Sequence, residues 1–441
     1  MIRPTVLLAA GMAAFAAPAA LADDAALQAM RDELAKMRQD YENRISGLEQ
    51  RLQQAETGAT QAAATAEAAK KQAETAAETK PADTPGAFNP AIGVVLNGTL
   101  GVARRDPDQY RIPGFALGDE AKPIDRGFAL GESEINFSAS VDQALYGALT
   151  VSINRENEVE IEEAFLQTTS LPGGVTLKGG RFKSGIGTLN EQHSHTWDFA
   201  DAPLPYLAML NGQYQDDGAQ VRWLAPLPLF VEFGAEGFRG DAYPANGAAN
   251  KGMGAYSAFV HVGDDIGAAG EGGSWRLGAS HLWSGAKNRE SGDDSFTGND
   301  RLLILDALYK WAPNGNYADR YVKLQGEYFR RDEKGRINDL DGSGTQQGYY
   351  AQAVWQFIPQ WRVGARYDRV WADTPSLGWL DTSLDPQGHV ASRESLMVDY
   401  STSEFGRFRL QGNLDHSAAT EDQQLLLQYT ISLGAHGAHP F

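Results

Sequence analysis

The sequence predicts an all-β transmembrane barrel of about 16 antiparallel strands, preceded by an N-terminal α-helical coiled coil. Three observations predict it. An export signal opens the chain, a heptad seam follows, and from about residue 88 the apolar residues recur with period two.

Residues 1–22 read as a secretory signal peptide. Arg3 precedes an apolar run from Val6 to about Ala17, and Ala20-Leu21-Ala22 offers a small-x-small cleavage site. The run is shorter than the roughly 20 residues a membrane helix needs. Residues 23–56 read as a periplasmic coiled coil. Leu27, Met30, Leu34, Met37 and Tyr41 recur at spacings of three and four, and Ile45, Leu48 and Leu52 continue the seam after one stutter. A seam of about four heptads is marginal as a lone helix, so self-association into a homotrimer is expected. The alternative is one amphipathic helix resting on another surface. Residues 57–87 are rich in Ala, Thr, Glu and Lys and hold almost no large apolar residue. They read as a semi-rigid spacer ended by Pro81, Pro85 and Gly86.

Residues 88–441 read as the barrel. Over 132–142, Ser133, Ile135, Phe137, Ala139 and Val141 alternate with Glu132, Glu134, Asn136, Ser138, Ser140 and Asp142. Near the C-terminus, Leu425, Leu427, Tyr429, Ile431 and Leu433 oppose Gln428, Thr430 and Ser432. A fully polar row behind an apolar row suits a strand with lipid on one side and a wet lumen on the other. A soluble sandwich also alternates, but so many strands in one domain speak for a barrel. Strands are expected to start near 91, 131, 146, 160, 175, 215, 228, 252, 274, 301, 320, 347, 361, 393, 407 and 423. Short links at 359–360 and 404–406 contrast with long polar stretches at 287–300 and 332–347, read as loops. Trp223, Trp275, Tyr309, Trp311, Trp355, Trp361 and Trp371 lie near strand ends, as an aromatic girdle would. Phe441 supplies a terminal aromatic behind the last strand pattern.

Composition narrows the function. There is no cysteine, which excludes disulfides, thiolate metal sites and cysteine nucleophiles. A formal charge of −19 argues against a nucleic-acid partner and for attraction of cations. No nucleophile elbow, HExxH or phosphate loop occurs, so catalysis is not expected.

Certain long words carry a resemblance: AFNPAIGVVLNG (87–98), DPDQYRIPGFALG (106–118), RGFALGESEINFSA (126–139), HSHTWDFADAPLPY (193–206), NGQYQDDGAQVRWLAP (211–226) and GAHGAHPF (434–441). In them the chain resembles the zinc-regulated TonB-dependent outer membrane receptors. At a greater distance EEAFLQ (162–167) and GGRFKSGIG (179–187), behind a coiled coil, are similar to the phosphate-selective porin group. The resemblance implies an outer-membrane location and a link to zinc supply. A TonB-gated receptor carries an N-terminal plug, whereas residues 23–87 read as coiled coil and spacer, so the architecture implies a porin-like channel.

Candidate site residues follow. His193 and His195, with Glu191 and Asp198 nearby, could bind zinc, since His-x-His in an extended segment puts both imidazoles on one side. The other reading is a polar loop packed on Trp197. His436 and His439 form a second, weaker metal candidate. Glu132, Glu134, Glu160 and Glu162 are acidic candidates for the pore lining. The alternate glutamates Glu156, Glu158, Glu160 and Glu162 read either as a cation-attracting ladder or as a solvated loop. Lys178, Arg181, Lys183, Arg222, Arg366, Arg407 and Arg409 are the basic pore-lining candidates. An anion-selective arginine ladder is the competing reading for that set, against the acidic balance of the chain. Asp339-Leu340-Asp341-Gly342 resembles half a calcium loop without its full spacing.

Three functions remain open. The first is a channel for passive uptake of small hydrophilic solutes or ions, narrowed by an inward loop over 187–214. The second is an uptake receptor for zinc or a zinc chelate. The third is a structural anchor tethered through the coiled coil. Outer-membrane lipid is a partner in all three, and zinc is the one cofactor in view.

Overall fold

The computed structural model describes residues 90–434 apart from 120, 123–124, 154–157, 246–251 and 267–271, together with Lys36, Arg38 and Gln39, which are helical and exposed. Apart from those three residues, the signal peptide, coiled coil and spacer expected over 1–87 lie outside the described residues, as do Glu156, His436 and His439. The barrel unit is Asn89–Phe441.

The strands are β1 (Ala91–Ala103), β2 (Gly127–Leu130), β3 (Ser133–Ser140), β4 (Leu145–Ile153), β5 (Val159–Thr168), β6 (Val175–Lys183), β7 (Gln215–Leu224) and β8 (Phe230–Phe238). There follow β9 (Ala255–Ile266), β10 (Gly273–Ser291), β11 (Asp294–Trp311), β12 (Tyr321–Ile337), β13 (Leu340–Ile358) and β14 (Trp361–Ala372). The last three are β15 (Val390–Ser403), β16 (Gly406–Asp415) and β17 (Asp422–Gly434). One helix, α1 (Leu204–Leu210), stands between β6 and β7. Every neighbouring pair is antiparallel, and β1 pairs with β17 to close the sheet. On its other edge β1 meets β3 at Ala91–Val95 and β2 at Gly98–Gly101. The two are one strand broken at 131–132, where Ser133 Oγ accepts the Asn97 amide (3.1 Å). The barrel therefore has 16 strands.

Its faces are inverted relative to a soluble protein. On β17 Asp422, Gln424, Gln428 and Thr430 are buried, while Leu425, Leu427, Tyr429, Ile431 and Leu433 point out and are exposed. On β16 Arg409, Gln411, Asn413 and Asp415 point in, and Phe408, Leu410 and Leu414 point out. Moving such an outward leucine from water into lipid contributes about 1.5–3 kcal/mol. Rings gather toward both ends of the sheet, with Tyr349, Tyr367 and Trp371 grouped near one. At the other, Trp275 pairs with Tyr309 across strands, Trp223 stacks on Phe233 and Trp361 packs on Tyr400.

The connections are unequal. The stretches 104–126, 184–214, 239–254 and 373–389 emerge at one end, while the opposite end has short turns such as 359–360 and 404–405. Two stretches read as long loops prove to be strand. β10 and β11 run to within two residues of each other, and β12 and β13 likewise. Beyond the lipid band the outward face is wet and the inward face packs buried charges such as Arg289 with Glu333 and Arg331 with Asp300, so the apolar period vanishes while the backbone ladder continues. Asn338 (φ 48°) and Asp339 (φ 70°) join the directly paired Ile337 and Leu340 in a left-handed two-residue turn. The supposed half calcium loop is this turn and the strand that follows it.

Candidate functional site

Between β6 and β7 the chain leaves the sheet and enters the lumen over 184–214. The expected inward loop thus begins three residues earlier, at Ser184. Asn190 ties its neck. The Asn190 side-chain amide donates to the carbonyls of Ser184 and Tyr214 (both 2.8 Å) and accepts from the Tyr214 amide (2.7 Å). Gly187 (φ 67°) has no room for a side chain, since a Cβ would sit 2.3 Å from a Glu327 carboxylate oxygen. α1 is buried throughout and stops at Asn211, whose φ of 55° is left-handed. Its Leu204, Tyr206, Leu207, Met209 and Leu210 pack with Phe182, Phe238, Phe329 and Tyr350. The inward rows of the strands read as polar, which would leave a lumen without bulky apolar filling. The structure corrects this, because the inward segment carries its own apolar core.

The segment is pinned by polar contacts on many sides. Gly185 donates its amide to Glu236 of β8 (2.9 Å), and Thr188 donates its hydroxyl to Asp306 of β11 (2.7 Å). Leu189 and Tyr206 both donate to Glu327 of β12 (3.1 and 3.0 Å). Asp198 accepts from Lys323 (2.8 Å) and Arg362 (3.2 Å). Burial raises the Asp198 pKa, but these two cations outweigh it and bring it down to about 2. Asp201 accepts from Arg366 (2.7 Å), Gln411 (2.7 Å) and Asn413 (2.9 Å), and pairs with Arg393 (3.2 Å). Arg409 donates to the carbonyl of Trp197 (2.8 Å), and Arg407 to that of His195.

Toward β3 and β5 the contacts change sign. His195 Nδ1 lies 2.8 Å from Glu134 Oε1. His193 Nδ1 lies 3.3 Å from Glu134 Oε2 and 3.4 Å from Glu162 Oε1, and its Nε2 lies 3.1 Å from Glu163. Ser194 donates to Glu132 (2.6 Å), and Lys183 pairs with Glu162 (2.5 Å). A bulge opposite Thr150–Val151 lets consecutive Glu162 and Glu163 both reach this cluster. Burial lowers the His193 pKa, but Glu162 and Glu134 outweigh it and hold it well above the usual imidazole value.

The expected metal set is thus divided. His193 and His195 do come together, with Glu134 as their carboxylate partner. Glu191 is spent on Arg222, and Asp198 on Lys323 and Arg362, so neither joins the histidines. The pore-lining candidates divide as well. Glu132, Glu160, Glu162, Arg181 and Lys183 border a cavity of about 550 Å³ between the segment and the wall formed by β1 to β7. Arg181 also pairs with Asp217 (2.7 Å). Glu134 lies behind that surface, against the histidines. Lys178 sits over the rings of Phe165 and Phe182 (4.7 and 5.4 Å). Arg222 pairs with Glu191 and covers Phe259, while Arg366, Arg407 and Arg409 hold the inward segment rather than border the cavity. Glu163 belongs to the acidic run read from the sequence, whereas Asp201, Glu327, Arg362 and Arg393 carry no signal there. Apart from Asp201, which lies in the segment itself, they stand in strands, where only the segment's path reveals their partners.

No known protein-family model matches the sequence. A protein of Aquifex aeolicus (strain VF5), described as uncharacterized, is 29% identical over 390 residues, 80% of each chain. Among solved structures, the outer membrane channel DcaP of Acinetobacter baumannii is similar with a TM-score of 0.52 at 12% identity, over 78% of this chain and 97% of that one. OmpT of Vibrio cholerae, an outer membrane protein solved with its loop L8 deleted, reaches 0.51 at 10% identity, over 78% of this chain and 99% of that one. An anion-selective porin from Comamonas acidovorans reaches 0.50 at 10% identity with the same coverage. None of these carries a zinc-regulated receptor description, so that resemblance stands on its sequence words alone. At such identities the likeness is one of fold, and the fold is that of the porin-like barrels.

Proposed function

We propose that this chain is an outer-membrane channel of porin type, through which small hydrophilic solutes diffuse passively with a preference for cations. The observation that carries the reading is the acidic cavity left beside a pinned inward segment, in a barrel whose outward rows are apolar. Its volume of about 550 Å³ suits a small solute. Glu132, Glu160 and Asp216 face it, and Lys183 and Arg181 are each already paired with a carboxylate. A net negative lining concentrates cations and repels anions. The long-connection end faces outward and the short-turn end faces the periplasm. The coiled coil of residues 23–56 gathers three copies.

The test is conductance and reversal potential of the purified protein in a planar bilayer under a salt gradient. Ohmic steps with a cation-selective reversal potential are expected, and Asp125→Asn with Glu160→Gln should move that potential toward zero. A protein that inserts and passes no current would end the channel reading in favour of a tethered anchor. A second reading, uptake of zinc or a zinc chelate by a TonB-dependent receptor, is favoured by the His193, His195 and Glu134 grouping. Conduction indifferent to zinc and to TonB would count against it.

A further inference from the structure

We propose that Glu134, His193 and His195 hold a resident divalent cation of the zinc type, which staples the inward segment to the barrel wall. The inference goes beyond the channel reading and stands without it, because it concerns an ion kept by the fold rather than a solute passed through it.

Donor chemistry comes first. Two imidazole nitrogens and a carboxylate oxygen are a set that suits zinc, and a harder ion such as calcium would prefer oxygens alone. The three donor atoms lie within 4.8 Å of one another. Spacing comes second. Bonds of about 2.0–2.2 Å in a tetrahedron place donor atoms roughly 3.4 Å apart. The His193 Nδ1 to Glu134 Oε2 separation is already 3.3 Å. The His195 Nδ1 to Glu134 Oε1 contact of 2.8 Å must open by about half an ångström, which a carboxylate rotation supplies. The two rings are tilted neighbours, with centroids 5.6 Å apart.

Charge comes third. Glu132, Glu134, Glu162 and Glu163 converge here, and Lys183 is the permanent cation in contact with the group. Glu134, Glu162 and Glu163 around one ammonium need further positive charge when withdrawn from water. A divalent cation supplies it. Position comes last. Arg407 holds the His195 carbonyl, which fixes the backbone just past the second ligand. Glu132 and Glu162 border the cavity and also touch Ser194 and His193, so they join the cavity to the site.

The test uses the full-length protein in detergent, stripped with a chelator and titrated with zinc chloride against a chromophoric competitor. One tight zinc per chain is expected. Affinity should fall at least tenfold in Glu134→Gln and in His193→Asn/His195→Asn, and stay unchanged in His436→Asn/His439→Asn. Loss of the tight zinc in the C-terminal variant, or equal binding by wild type and the Glu134→Gln and His193→Asn/His195→Asn variants, overturns the proposal. X-ray absorption on zinc-loaded wild type decides the matter should those variants not fold. Two imidazoles in the shell support the site, and an all-oxygen shell overturns it. Neither readout depends on whether the barrel conducts.

Discussion

Asp198 shows how one side chain can hold the lumen together. Its carboxylate is buried and answers to Lys323 and Arg362 on two different strands. The folded pKa lies below the unfolded value, so its stabilisation is complete above pH ~3.9 and is lost as pH falls through about 2. Trp197 fluorescence should therefore report an undisturbed segment down to about pH 4 and loosening below it. Asp198→Asn should cost about 3 kcal/mol at neutral pH, since Lys323 loses its carboxylate and Arg362 keeps only Asp399, and should flatten the acid profile. A melting temperature equal to wild type would refute this. Asn190 acts at the neck by hydrogen bonding alone. Asn190→Ala strands the Ser184 carbonyl and the Tyr214 amide in a buried place, each at about 1–3 kcal/mol, while the Tyr214 carbonyl keeps the Ser184 amide. Limited proteolysis should then cut within 184–214 where the wild type resists.

Among the elements, legibility followed what each face meets. β16 and β17 were plain in the sequence because lipid and lumen impose opposite polarity on alternate residues for their whole length. The tips of β10–β11 and β12–β13 were not, because water meets their outward face while their inward face packs buried charged pairs, and the period disappears. Glu191 and Asp198 stand near the histidines in sequence, yet the segment's path turns them toward β7 and toward β12 and β14. Glu134 came from a distant strand, which no local spacing could have paired with them. α1 read as loop because seven residues between prolines and Asn211 carry too little helical signal. Replacing Leu204–Leu210 with a short Gly-Ser linker should raise single-channel conductance several-fold, as the apolar filling leaves the lumen. Unchanged conductance would mean that the solute path lies wholly along the β1–β7 wall.

At the scale of the whole molecule, barrel and inward segment form two shells with different jobs. The outer shell meets lipid through its apolar rows, and the inner shell decides what space remains. The proposed trimer belongs to residues 23–56, so Leu34→Asn with Leu48→Asn should yield monomers in native mass spectrometry while each barrel stays folded. Trimers surviving those changes would place the association on the barrel wall instead.

The same inner shell bears on the β1–β17 closure. From within, His193, Ser194 and His195 grip the turn into β3, β3 itself and β5, while Asp198 and Asp201 grip β14, β15 and β16. These anchor points lie on opposite sides of the line where the first and last strands meet. A parting of those strands sideways into the membrane would have to break the backbone ladder and this internal tie together. The barrel is therefore locked against lateral release of anything it contains, and passage is confined to the axial direction.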